Sequence, residues 1–233
     1  MDKKLSHEEQ HLKSSDLLTD VVIGMSDGLT VPFALAAGLS GAVDSTGIIV
    51  IAGIAEIAAG SIAMGLGGYL AGKTEQDHYK TELQREFYEV DNLRDREIAE
   101  TKEFFANIGL SEELQEKATA EIANEKKQWV DFMMKYELGL NKPDPRRATK
   151  SAMNIGISYI VGGLVPLSPY FFVSQPVTGL RISVVVTLIC LFVFGWFKSK
   201  VTGVNPWGGA LRVMLIGAVA AGAAFGVAKL FEQ

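Results

Sequence analysis

Charge is distributed very unevenly along this 233-residue chain. Residues 21–43 lie between Asp20 and Asp44 and hold a single charge, Asp27. About 20 mostly apolar residues, each rising 1.5 Å, cross a ~30 Å hydrocarbon core, so the stretch predicts a membrane-crossing helix. Four further stretches repeat the pattern. The second runs from about Thr46 to Gly72 with Glu56 as its one charge. The third runs from Ser151 to roughly Leu167, in a charge-free run that reaches Leu180 and is closed by Pro166, Pro169 and Pro176. Arg181 and Lys198 bracket the fourth, and the fifth extends from about Gly208 to Leu230.

Between the second and third stretches the pattern inverts. Residues 73–150 carry 14 of the 22 basic residues and 18 of the 27 acidic ones, which marks a polar insert in a membrane protein. From Lys73 no Gly or Pro interrupts the helical pattern until Gly109, predicting that the second span continues out of the membrane as one long helix. Ser111 is placed to cap a helix near 111–122, and a third helix is expected from about Asn124 to Leu138. Gly139, Pro143 and Pro145 then end the insert. The fold class expected is all-α: a polytopic membrane protein with five transmembrane helices and a helical cytosolic insert between the second and third. Its divisions are a cytosolic tail (1–17), spans one and two (18–72), the insert (73–150) and spans three to five (151–233).

Basic residues set the orientation. Lys3, Lys4 and Lys13, the insert, and Lys198 with Lys200 all fall on one side if there are five spans. The positive-inside rule puts that side, with the N-terminus and the insert, in the cytosol, and the C-terminus across the membrane. No signal-peptide core precedes the first span, so membrane entry is expected to rely on the spans themselves. The net charge of −5 offers no basic face for nucleic acid. Cys190, the one cysteine, excludes a disulfide framework and a thiolate metal site. His7 and His11 have the spacing of a metal pair but no further ligand nearby.

The candidate chemistry is carboxylate and thioether. A charge inside a span costs at least ~2.5 kcal/mol, so Asp27 and Glu56 on consecutive spans read as an ion or proton path. Met64 shares a face with Glu56 and Gly60 at 3.6 residues per turn. In the insert, Glu86, Glu89, Glu97 and Glu100 fall within roughly 80° on a wheel of ~100° per residue. Glu82 lies in the same arc. Val90, Leu93, Thr101 and Phe104 follow those four glutamates at i+4 in place of cations, and Arg85 and Arg96 offer only the less favourable reverse pairing. Such a stripe is either a solvated acidic face or a cation site. Met133, Met134 and Glu137 add thioethers beside a carboxylate, a donor set that suits a divalent transition metal such as ferrous iron better than calcium or magnesium. Methionines at helical spacing are more often core, however. Trp129 and Phe132 are expected to form the apolar contact of their helix with the first insert helix.

Ser-Asp-Gly-Leu-Thr-Val-Pro-Phe-Ala-Leu-Ala-Ala-Gly (26–38), with Glu-Ile-Ala-Ala-Gly-Ser-Ile-Ala-Met-Gly-Leu-Gly-Gly-Tyr-Leu (56–70), resembles the vacuolar iron transporter family. The glutamate-rich insert and its Met-Met pair resemble the plant members that carry a cytosolic metal-binding domain. The resemblance implies a homodimer of five-span protomers in the vacuolar membrane that carries ferrous iron from cytosol to vacuole in exchange for protons. By matching positions it implies a transport path of Asp27, Glu56 and Met64. It likewise implies a metal site of Glu86, Glu89, Glu97, Glu100, Met133, Met134 and Glu137 in the insert. Membrane lipid, divalent metal ions and protons are then its partners, with no prosthetic group; Fe2+ is the cargo, and Zn2+ and other divalent transition metals are further candidates.

Three other readings compete. A ferritin-like oxidase needs repeated Glu-x-x-His pairs, and the insert has one, Glu75 with His78. A metal-gated channel uses the same residues without proton coupling. A membrane-anchored metal buffer leaves Asp27, Glu56 and Pro32 without a role.

Overall fold

The computed structural model describes residues 16–231. His7 and His11 lie outside the described residues. The chain forms α1 (Asp16–Ala42), α2 (Thr46–Asn92), α3 (Arg94–Asn107), α4 (Glu112–Ile122) and α5 (Lys126–Phe132), the last running into a π-helical turn at Met133–Glu137. Next come α6 (Arg147–Leu167) with a 3-10 turn at Ser168–Phe171, α7 (Pro176–Val201) and α8 (Pro206–Phe231). No strand occurs among the described residues. The α1, α2, α6, α7 and α8 helices are long and apolar enough to cross a membrane, as the hydrophobic pattern predicts. The chain divides into two compact units, residues 1–69 with 149–233, and residues 70–148.

In the first unit, α6 lies between α1 and α2. Its Ile155, Tyr159 and Gly162 meet Gly24, Gly28 and Leu29 of α1 in rising order, so these two helices run parallel. Its Leu167, Tyr159 and Ala152 meet Gly53, Gly60 and Gly65 of α2, so that pair is antiparallel. A Cβ on Gly28 would run into the backbone of Tyr159, and one on Gly60 into its phenol ring. Glycine is required at both for this closeness, which replaces the hydrophobic drive that lipid removes. Phe33 and Ala37 of α1 pack on Ala221 of α8 beside Leu180, Val184 and Leu188 of α7. Pro32 and Pro166 interrupt the backbone ladders of α1 and α6. The Pro166 carbonyl accepts 2.7 Å from the buried Ser183 hydroxyl, so α7 makes a bond at the interruption in α6.

The second unit packs Val90, Ala123, Trp129, Val130, Met133 and Met134 into one apolar core. Its long helix does not reach Gly109 as expected. The chain breaks at Leu93 (φ −126°, ψ 34°), and its carbonyl caps α3 by accepting from the amides of Arg96 and Glu97 at 2.9 and 3.2 Å. Tertiary contact accompanies the break. The Arg94 guanidinium donates 2.9 Å to the Ala123 carbonyl and sits 4.9 Å from the centre of the Trp129 ring. These contacts tie the start of α3 to α4 and α5 and bury Glu97, Thr101 and Phe105. Ser111 stands at the N-cap of α4 with extended backbone, but its side chain makes no capping bond. Gly109 (φ 89°) and Gly139 (φ 65°) end α3 and the π turn in conformations open to glycine.

Gly28→Ala and Gly67→Ala separate close packing from helix propensity. A Cβ at Gly67 meets nothing within 4 Å, so that change is expected to be neutral or to stabilise by up to ~1 kcal/mol. Gly28→Ala should lower the thermal midpoint of the purified protein and its monodisperse yield by size exclusion.

Candidate functional site

The membrane carboxylates gather around one side chain that sequence reasoning did not single out. Tyr159, only 2% exposed, donates its phenol proton to Glu56 Oε1. Glu56 Oε2 is buried and has no partner. Asp27 is half-buried one residue before Gly28, against which the Tyr159 backbone packs, and lies within electrostatic reach of the phenol. Asp27 and Glu56, from α1 and α2, are thus brought to one level of the unit by a residue of α6.

Met64 stands elsewhere along the same helix. Eight residues of α2 separate it from Glu56, about 12 Å along the axis. Its neighbour Gly65 is level with Ala152, where a further carboxylate is buried. Asp20 accepts 2.9 Å from Ser151 Oγ and 3.2 Å from Asn154 Nδ2, and it is 1% exposed. Asp20 went unnoticed because it marked the edge of the apolar run. A tyrosine in a span carries no signal at all until its partner is known.

In the insert, the acidic stripe is partly neutralised. Arg85 reaches Glu82 at 3.2 Å and Glu89 at 3.4 Å, and Arg96 reaches Glu100 at 2.8 Å. The reverse i, i+4 spacing therefore does form ion pairs, because both guanidiniums stay exposed and can bend back. Glu86 and Glu97 are different. They are 3% and 1% exposed, and Glu86 Oε2 and both oxygens of Glu97 are buried without a donor. Burial, with the surrounding carboxylates second, pushes the Glu86 and Glu97 carboxyls up to about 7. Glu137 is raised for the same leading reason, with Glu100 and Glu89 adding to it. The five glutamates thus act on one another although α2, α3 and the π turn supply them.

Met133 and Met134 are each 1% exposed and belong to the apolar core. The packing role of methionine is therefore present. Thr101 Oγ1 donates 2.7 Å to the Glu97 carbonyl, accepts 2.8 Å from Trp129 Nε1 and lies 3.4 Å from Met133 Sδ. Trp129 packs with Val90 of α2, as expected. Phe132 meets Phe104 and Phe105, which the sequence placed on that same first helix and which the break at Leu93 assigns to α3, and it also meets Tyr136. The π turn, closed by Leu138 N–H to Met133 O at 3.1 Å, was also unforeseen. Among the described residues no three carboxylate, imidazole or thiolate groups converge into a ready-made metal cage. What the insert does offer is a set of orphaned carboxylate oxygens, on Glu86 and Glu97, which a cation or protons would satisfy.

Comparison with known proteins finds relatives over nearly the whole chain. The VIT family model matches residues 18–229. "Vacuolar iron transporter 1" of Tulipa gesneriana is 52% identical, over 97% of this chain and 92% of the relative. "Vacuolar iron transporter 1" of Arabidopsis thaliana is 47% identical, over 97% and 91%. "Protein CCC1" of Saccharomyces cerevisiae is 41% identical, over 92% of this chain and 69% of the relative. The chain belongs to the VIT family.

Proposed function

We propose that this protein moves ferrous iron from the cytosol into the vacuole, across the vacuolar membrane, in exchange for protons. The observation that carries the reading is the level shared by Asp27 and Glu56, two carboxylates from different helices inside a unit of membrane-crossing length. Relatives named as vacuolar iron transporters, about half identical over nearly the whole chain, support the cargo and the compartment. They also support a carrier rather than an enzyme.

The working protein in this reading is a homodimer with the N-terminus and residues 73–150 in the cytosol and the C-terminus in the lumen. Glu86, Glu89, Glu97, Glu100 and Glu137, with the Met133 and Met134 thioethers, collect the ion. Zn2+ and other divalent transition metals compete for the same donors. Met64, Asp27 and Glu56 then take the ion through the bilayer, and protons arriving from an acidic lumen displace it from the carboxylates.

Ferrous iron uptake into proteoliposomes, with internal pH recorded, tests the central claim. Uptake should rise with an inside-acid gradient and alkalinise the lumen; indifference to the gradient would mean a channel. Asp27→Asn should reduce initial uptake at least about tenfold, the scale of losing one buried charged partner. Glu97→Gln should weaken ferrous iron binding to the full chain by a similar factor, read by titration in detergent.

Stability of the metal-free insert should depend on pH in an unusual direction. Glu86 and Glu97 reach about 7 in the folded chain against an ordinary value of 4.5, so between those values the folded state holds more protons than the unfolded one. Stability is then greatest near pH 5 and falls as pH rises through 7. Hydrogen exchange of the α3 amides, corrected for intrinsic rates, should show less protection at pH 8 than at pH 5. Ferrous iron at pH 8 should restore it.

A further inference from the structure

A buried carboxylate aimed at a divalent cation risks holding it too well. In a medium of low dielectric the attraction is many times its value in water. A carrier must bind its ion at one side and lose it at the other, and deep binding without a competitor becomes a trap. Glu56 is such a group. Its Oε2 is buried with no partner, while its Oε1 is occupied by the Tyr159 phenol.

We propose that Tyr159 is a positioning residue that competes with the cargo ion for Glu56 and so keeps the site exchangeable. The inference rests on Glu56 lying in the transport path. When the ion takes both carboxylate oxygens, the phenol gives up its bond; when the ion leaves, the phenol returns to Oε1, so the carboxylate is never left wholly bare.

The surroundings fix the phenol for this task. Tyr159 is buried among α1, α2 and α6 of one protomer, so no second chain is needed to place it. Gly28 takes its backbone and Gly60 takes its ring and hydroxyl, which leaves the side chain little room except against Glu56. The carboxyls facing this point are Glu56 on α2 and Asp27 on α1, with Asp20 two turns away along α1. A phenol is suited to the work. It donates one hydrogen bond strong enough to satisfy a carboxylate oxygen, yet it carries no charge that would repel an arriving cation.

Tyr159→Phe keeps the ring and its packing and removes only the competitor. Uptake by proteoliposomes, normalised to monodisperse protein, should then show KM for ferrous iron falling and kcat falling with it, each by about tenfold, the scale of one hydrogen bond to a charged group. A structural role alone would lower the yield of folded protein and leave KM where it was. Glu56→Gln is measured beside it. If Glu56→Gln is inactive and Tyr159→Phe leaves KM unchanged or raises it, the competitor role is overturned while the path through Glu56 stands. If Glu56→Gln transports like the native chain, Glu56 is not in the path, and the reading of the site falls together with this inference.

Discussion

A carboxylate taken out of water has to be met by a donor, a proton or a cation, and this chain takes several out of water. Each is met differently. Asp20 is held by the Ser151 and Asn154 side chains, Glu56 by the Tyr159 phenol on one oxygen, and Glu86 and Glu97 by very little that the protein itself supplies. The carboxylates thus form a gradation in how many donors the protein supplies to them, from both oxygens of Asp20 to neither oxygen of Glu97.

The membrane unit meets this demand by bringing helices unusually close. Glycines on α1 and α2 let α6 approach backbone to backbone, and that approach places a tyrosine from α6 at the level of acids from both neighbours. The insert uses another device. It sets its glutamates on helix faces that also carry the core, so that Glu97, Thr101 and Phe105 share one buried stripe. The hydrogen-bond chain from Trp129 through Thr101 to the Glu97 carbonyl then ties α5 to α3 within that core, with the Met133 thioether alongside.

Much of this was legible in the sequence. The five spans follow from runs of apolar residues long enough to cross a bilayer, and Asp27 and Glu56 were conspicuous because each was the lone charge in its run. The acidic stripe was visible as a helical period. What could not be read depends on contacts distant in sequence. Leu93 breaks a helix with no glycine or proline near it, where Arg94 finds its partners on Ala123 and Trp129. Tyr159 lies 103 residues from Glu56, and no periodic pattern links them. Ion pairs from Arg85 and Arg96 form despite unfavourable order, because exposed guanidiniums reach where they are needed.

The π turn at Met133–Glu137 has an evolutionary consequence. A π turn amounts to one extra residue accommodated within a helix. Losing a single residue there would restore ordinary helical spacing and rotate everything after it by ~100°, with the same methionines and glutamates still in the chain. Two relatives could then match in composition across this stretch and yet present different donors to the same face. Inheritance of the insert's chemistry is therefore carried by the residue count between Met133 and Leu138 as much as by the identity of the residues.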